Sequence, residues 1–151
     1  RKNYFGLFED RKIDKQYEAI ATLPIDVDRK EWLIESRIEP SGEWILCHNV
    51  PGKINARSRI ELLERSGDRA RFSLSPITGK THQLRLHMGL IGSQILYDKF
   101  YPELQPESEV VDYTQPLQLL AKRLSFLDPV TGINHQFESE LRLSSWEKSA
   151  A

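Results

Sequence analysis

The chain predicts an α+β domain: a mixed, largely antiparallel sheet with few helices. Three observations carry this. Short runs of alternating apolar and polar residues recur along the chain. Turn-forming groups rich in Gly, Pro, Asp and Ser separate them at hairpin distances. One stretch, residues 80–91, has helical spacing and ends on Gly92. Hairpins with one good helix pack as an antiparallel sheet with the helix on a face.

Each element has its own local cause. Residues 1–10 read as the tail of a helix or an ordered lead-in. Residues 15–23 place Tyr17, Ala19 and Ala21 on one face and Ile20 on the other, which suits a strand. Residues 24–30 form a polar loop. Trp32 and Ile34 mark one short strand and Trp44 and Leu46 another, separated by the turn Pro40-Ser41-Gly42. Pro51-Gly52 makes a further turn. Residues 56–76 give the clearest hairpin. Ile60 and Leu62 alternate with Arg57, Arg59 and Glu61, and Ala70, Phe72 and Leu74 alternate with Arg69, Arg71 and Ser73. The turn between them is Arg65-Ser66-Gly67-Asp68. One hairpin face is therefore apolar and the other gathers four arginines. Residues 102–116 form a polar, acidic loop. Residues 117–127 and 133–143 read as a second hairpin, turned at Asp128-Pro129-Val130-Thr131-Gly132.

The helix carries the most information. At about 100° per residue, Leu84, Met88 and Ile91 share one face, and Leu86 and Leu90 form a second apolar face. Such a helix should be covered on more than one side. His82, Arg85 and Gly89 share the remaining narrow strip. A guanidinium among packed side chains needs a carboxylate or phosphate partner. Gly89 beside it leaves room for a close approach.

Composition bounds the rest. At 151 residues the chain is one domain's worth, enough for a real core. No apolar run approaches the length of a membrane span and no signal peptide opens the chain. The single Cys47 excludes an internal disulfide framework and a cysteine-based zinc site. These features lead us to expect a cytoplasmic protein. His82 and His87 are not spaced to share a metal-binding face, and His48 and His135 are isolated, so no metal is expected. Thr78-Gly79-Lys80-Thr81 lacks the preceding glycines of a nucleotide-phosphate loop. The net charge of −1 does not itself suggest a nucleic-acid binder, but residues 51–85 hold eight Lys/Arg against three Asp/Glu. Residues 103–112 hold four acids and no base. This asymmetry either steers a polyanion to one face or is ordinary solvated charge.

The stretch Pro76-Ile77-Thr78-Gly79-Lys80-Thr81-His82-Gln83-Leu84-Arg85-Leu86-His87 resembles the P-x-T-G-[RK]-[ST]-H-Q-[LI]-R-[VIL]-H segment of the RluA-type pseudouridine synthases. Ile91-Gly92, Ile95, Asp98 and Tyr101 continue the match in register. Lys15-Gln16-Tyr17-Glu18-Ala19 matches the family's K-x-Y-x-A strand upstream, and residues 119–129 fit its late strand. The likeness thus spans nearly the whole chain, residues 1–151, as the C-terminal portion of the catalytic domain.

That resemblance implies uridine-to-pseudouridine isomerisation in ribosomal or transfer RNA, with no cofactor. Tyr17 would stack on the target base, and Arg85 would pair with the catalytic aspartate. Lys15 and Lys80 would contact phosphates, and His82 would orient the turn or contact the RNA backbone. Arg57, Arg59, Arg69 and Arg71 are further candidates for RNA binding. The family's nucleophile sits in R-L-D-x-x-[ST]-S-G, and these 151 residues contain no such motif. Arg85's partner is therefore expected to be missing. A C-terminal piece of a longer enzyme, inactive alone, is the simplest expectation; a paralogue that lost the motif, or a non-catalytic RNA-binding module, is the alternative. The chain also departs from the family at Ser93-Gln94 (often His-Pro), Tyr97 (usually Gly) and Leu120 (often His).

Overall fold

The computed structural model describes residues 13–106 and 114–146. The lead-in expected over residues 1–10 and part of the acidic loop lie outside them. Among the described residues seven strands form one sheet: β1 (Ile13–Thr22), β2 (Glu31–Pro40), β3 (Cys47–Val50), β4 (Ala56–Ser66), β5 (Arg69–Pro76), β6 (Leu119–Leu127) and β7 (Asn134–Glu138). Their order is β3-β2-β4-β5-β1-β6-β7, and every pairing is antiparallel. Helix α1 (Gln83–Leu90) follows β5. No helix among the described residues is long and apolar enough to cross a membrane. The α+β class expected from the alternation is the one observed.

The core lies between α1 and one face of the sheet. Ala19 and Ala21 on β1, Ile60 and Leu62 on β4, and Phe72 and Leu74 on β5 cluster with Leu84, Met88 and Ile91. The small alanines suit a close approach by the helix, and burial of the larger groups stabilises it. Leu86 packs on the other side, with Ile38, Cys47 and Ala56. Leu90 does not join it; half of that side chain is exposed. The second apolar face of α1 is therefore covered over one turn only.

The helix is also shorter than its periodicity suggests. His82 has φ 57°, left-handed, so regular helix begins at Gln83. At the other end Ser93 N–H donates to Met88 O (3.0 Å) and Gly92 N–H to Gly89 O (3.1 Å), with Gly92 at φ 80°. This is a Schellman cap, and Gly92 occupies the position that favours glycine.

Two strand expectations need correction. Trp44 and Leu46 are not in a strand: residues 41–46 form a turn in which Gly42 (φ 83°) and Trp44 (φ 47°) are left-handed, which interrupts extended backbone. Pairing starts only at Cys47. The last strand stops at Glu138 rather than near residue 143.

Candidate functional site

The Thr-Gly-Lys-Thr turn is held by one side chain. Gln83 Oε1 accepts from Lys80 N–H (3.1 Å) and from the Thr78 hydroxyl (2.6 Å). Its Nε2 donates to Arg57 O and Ser58 Oγ, both at 2.8 Å. All four hydrogen-bonding positions of a buried amide are thus used, which ties the turn to β4. Sequence reading did not single out Gln83. Its fixed place in the turn-helix motif was the only available signal.

Arg85 has a partner after all. Asp98, buried in the loop after α1, accepts from Arg85 Nε (3.0 Å) and from Nη2. The expectation that this arginine would lack a carboxylate is overturned. The demand for a partner was correct, but the acid lies thirteen residues downstream and reaches Arg85 only through the fold. Asp98 Oδ1 also accepts from Phe100 N–H (2.9 Å) and Tyr101 N–H (3.1 Å). One carboxylate therefore fixes both the guanidinium and the loop. The guanidinium lies over the Phe100 ring at 4.5 Å. Among the described residues, Nη1 makes no hydrogen bond, so the arginine is oriented with donors to spare.

Aromatic and imidazole groups enclose this pair. Tyr101 Oη lies 2.7 Å from His82 Nδ1 and accepts from Cys47 N–H (2.9 Å), joining the helix start to β3. The pKa of His82 is lowered by burial and then by the Arg85 charge, with Asp98 opposing. The imidazole is held toward its neutral form. Beside them opens a cleft of about 910 Å³, with Arg85, Gly89, Asn49, Gln94 and Phe100 among its walls. A Cβ built on Gly89 would meet nothing within 4 Å, so the space expected beside Arg85 exists.

Tyr17 occupies a different hollow. It is half-buried on β1, paired with Leu74 on β5 and Ala121 on β6. Pairing with β6 shifts register between Gln16 and Tyr17, a bulge that re-aims side chains locally. Tyr17 lines a hollow of about 460 Å³ with Lys15, Ala121 and Phe137. Lys15 Nζ reaches to 4.0 Å from where a Cβ of Gly79 would stand. Lys15 is thereby brought to the turn that carries Lys80, which is exposed. Tyr17 and Lys15 meet in one hollow, and His82 and Arg85 meet in another place; the 78–82 turn connects the two.

The four hairpin arginines lie elsewhere. Ser58, Ile60, Ala70, Phe72 and Leu74 face α1, so Arg57, Arg59, Arg69 and Arg71 project from the opposite face. Arg57 pairs with Glu35 (3.7 Å) and Arg69 with Asp68 (4.0 Å). Arg71 pairs with Glu18 and Glu64, both at 3.3 Å. Arg59 has no ion pair among the described residues.

Comparison with known proteins shows the family and the fold. A family model described as RNA pseudouridylate synthase matches residues 3–89, which include Tyr17 and Arg85. The chain belongs to the RNA pseudouridylate synthase family. It is 33% identical over 141 residues to the dual-specificity RNA pseudouridine synthase RluA of Haemophilus influenzae, covering 88% of this chain and 59% of that protein. The Pasteurella multocida protein of the same description is 32% identical over 129 residues, covering 82% of this chain and 55% of the relative. The chain thus spans little more than half the length of these relatives. A solved structure, human RNA pseudouridylate synthase domain containing 4, shares the fold with TM-score 0.67 at 21% identity, over 91% of this chain and 61% of that one.

Proposed function

We propose that the intact protein isomerises uridine to pseudouridine in ribosomal or transfer RNA, in the cytoplasm. The observation that carries the reading is the turn-helix segment at residues 78–85. It holds Arg85, fixed by Asp98, on one side and meets Lys15, next to Tyr17, on the other. In the reaction the N–C bond to the sugar breaks, the base rotates, and a C–C bond forms. The target base must leave its stack, and an aromatic surface with nearby cations suits a flipped base and its phosphates. Tyr17 would stack on the base and take the proton from its carbon. Lys15 and Lys80 would contact phosphates, with His82 at the turn. The Nη1 donors of Arg85 would serve a second carboxylate, the nucleophile that these 151 residues do not supply in the R-L-D-x-x-[ST]-S-G context.

The test uses RNA transcribed without pseudouridine and chemical labelling of any product. The intact protein should yield pseudouridine, Tyr17→Phe should abolish product while RNA binding persists, and the 151 residues alone should yield none. Turnover by the 151 residues would overturn the need for an added carboxylate. RNA binding by the intact protein without any turnover would establish a binding module instead.

A further inference from the structure

His87 is fully buried on α1, between Ser58 on β4 and Ser36 on β2, and the proposed reaction gives it no task. Its surroundings determine where its proton lies. Gln83 has no freedom to flip: Lys80 N–H can only donate to it and Arg57 O can only accept from it. Nε2 of Gln83 is therefore the atom 2.8 Å from Ser58 Oγ, and Ser58 accepts there. Among the described residues Ser58 Oγ has two hydrogen-bond neighbours, Gln83 Nε2, which donates, and His87 Nδ1, so the Ser58 proton has His87 Nδ1, at 2.8 Å, as its acceptor. With Nδ1 accepting, the neutral ring carries its hydrogen on Nε2, which donates to Ser36 Oγ at 2.9 Å. Ser36 passes its own proton to Asn49 Oδ1 at 2.7 Å.

We propose that Gln83, Ser58, His87, Ser36 and Asn49 form a one-way hydrogen-bond chain in which His87 is a positioning residue locked as the neutral Nε2–H tautomer. The chain starts at the backbone of the 78–80 turn and ends on Asn49, in the wall of the large cleft. It couples the turn to β3 across α1, β4 and β2. A break near the Gln83 end frees everything after it, whereas a break near Asn49 leaves the upstream links intact. An unordered set of buried contacts would show no such asymmetry.

Nitrogen-15 NMR of the imidazoles in the intact protein reads the tautomer directly and needs no RNA, so it stands or falls apart from the proposed reaction. At neutral pH, His87 should show protonated Nε2 and bare Nδ1. Ser36→Ala should keep that signature, because Ser58 still donates. Ser58→Ala should let the Nδ1–H form appear, because Ser36 can either donate or accept once the upstream anchor is gone. Should Ser58→Ala fail to fold, Gln83→Glu tests the same step, since a carboxylate at that position accepts from Ser58 and reverses the chain. An Nδ1–H or doubly protonated His87 in the parent protein would overturn the proposal. So would identical tautomer populations in the upstream and downstream variants.

Discussion

The two faces of the sheet hold their charges in opposite ways. On the α1 face, Arg85 and Asp98 are 14% and 2% exposed as side chains, and the Asp98 carboxylate accepts hydrogen bonds from Arg85, Phe100 N–H and Tyr101 N–H. On the other face, Arg57 is 51% exposed and its contact with Glu35 is 3.7 Å long. Solvent screens the second kind of pair and side-chain entropy opposes it, so it contributes little. The first kind is costly to assemble and worse to break. A charge can therefore be abundant on one face and consequential on the other.

The largest expected effect comes from breaking the buried pair. Arg85→Ala leaves Asp98 without its counter-ion and should destabilise the fold by roughly 3–5 kcal/mol, measured by urea unfolding. Arg85→Lys should recover only part, because one ammonium cannot reproduce the two-edged contact. A loss below about 1 kcal/mol for the alanine variant would mean that the pair behaves like the surface ones.

Acid should weaken the α1 face next. Burial lowers the pKa of His87 from 6.5 to about 4. Between those values the unfolded chain binds a proton that the folded chain refuses. Stability should thus rise as pH goes from about 4 to about 6.5, and be lost on acidification through that window. The gap corresponds to roughly 3 kcal/mol. His82, also lowered, acts in the same direction. Urea midpoints across this range should show the slope, and His87→Gln should flatten it. An unchanged slope in that variant would place the titration elsewhere.

A smaller loss should follow Gly92→Ala. The residue has φ 80°, and an added Cβ would stand 3.2 Å from Ile25 N and closer still to the Ile25 side chain. The left-handed strain alone costs about 1–2 kcal/mol, readable from the thermal midpoint.

The arginine face should yield the smallest changes. Arg57→Ala should shift stability by less than about 1 kcal/mol, whereas Arg71→Ala should cost more, because Arg71 is only 28% exposed and paired with a Glu18 that is 21% exposed. Salt titration of RNA binding sharpens the contrast. If this face meets phosphates, Arg59→Ala should reduce the salt slope by about 1, since among the described residues Arg59 has no carboxylate to release first. A parental slope in all four arginine variants would make that face ordinary solvated surface and leave the RNA path on the Tyr17 side.

Local chemistry made much of the molecule legible in advance. Alternation over residues 56–76 identified the hairpin and its two faces, because strand side chains alternate whatever the strand packs against. The stop at Gly92 followed from its freedom to be left-handed. The need of Arg85 for an anion followed from the apolar helix around it. The 41–46 turn was not legible: Trp44 is a good strand former, and only the left-handed backbone of Gly42 and Trp44 excludes it from a strand. The site was half legible. Tyr17, Lys15, His82 and Arg85 were picked out by motif, whereas Gln83, His87 and Asp98 entered only when their partners became known.

The class of fold, the alternation of each strand and the side chains that would need partners could be read from neighbours one to four residues apart. Which partners they received depended on contacts between residues far apart in the chain. Asp98 reaches Arg85, Ser36 and Ser58 reach His87, and Lys15 reaches Gly79 across gaps that sequence spacing does not encode. The tertiary structure also decided that the arginines and the helix lie on opposite faces. That follows from burying one apolar face against α1, which leaves the charged side chains no position except the far side.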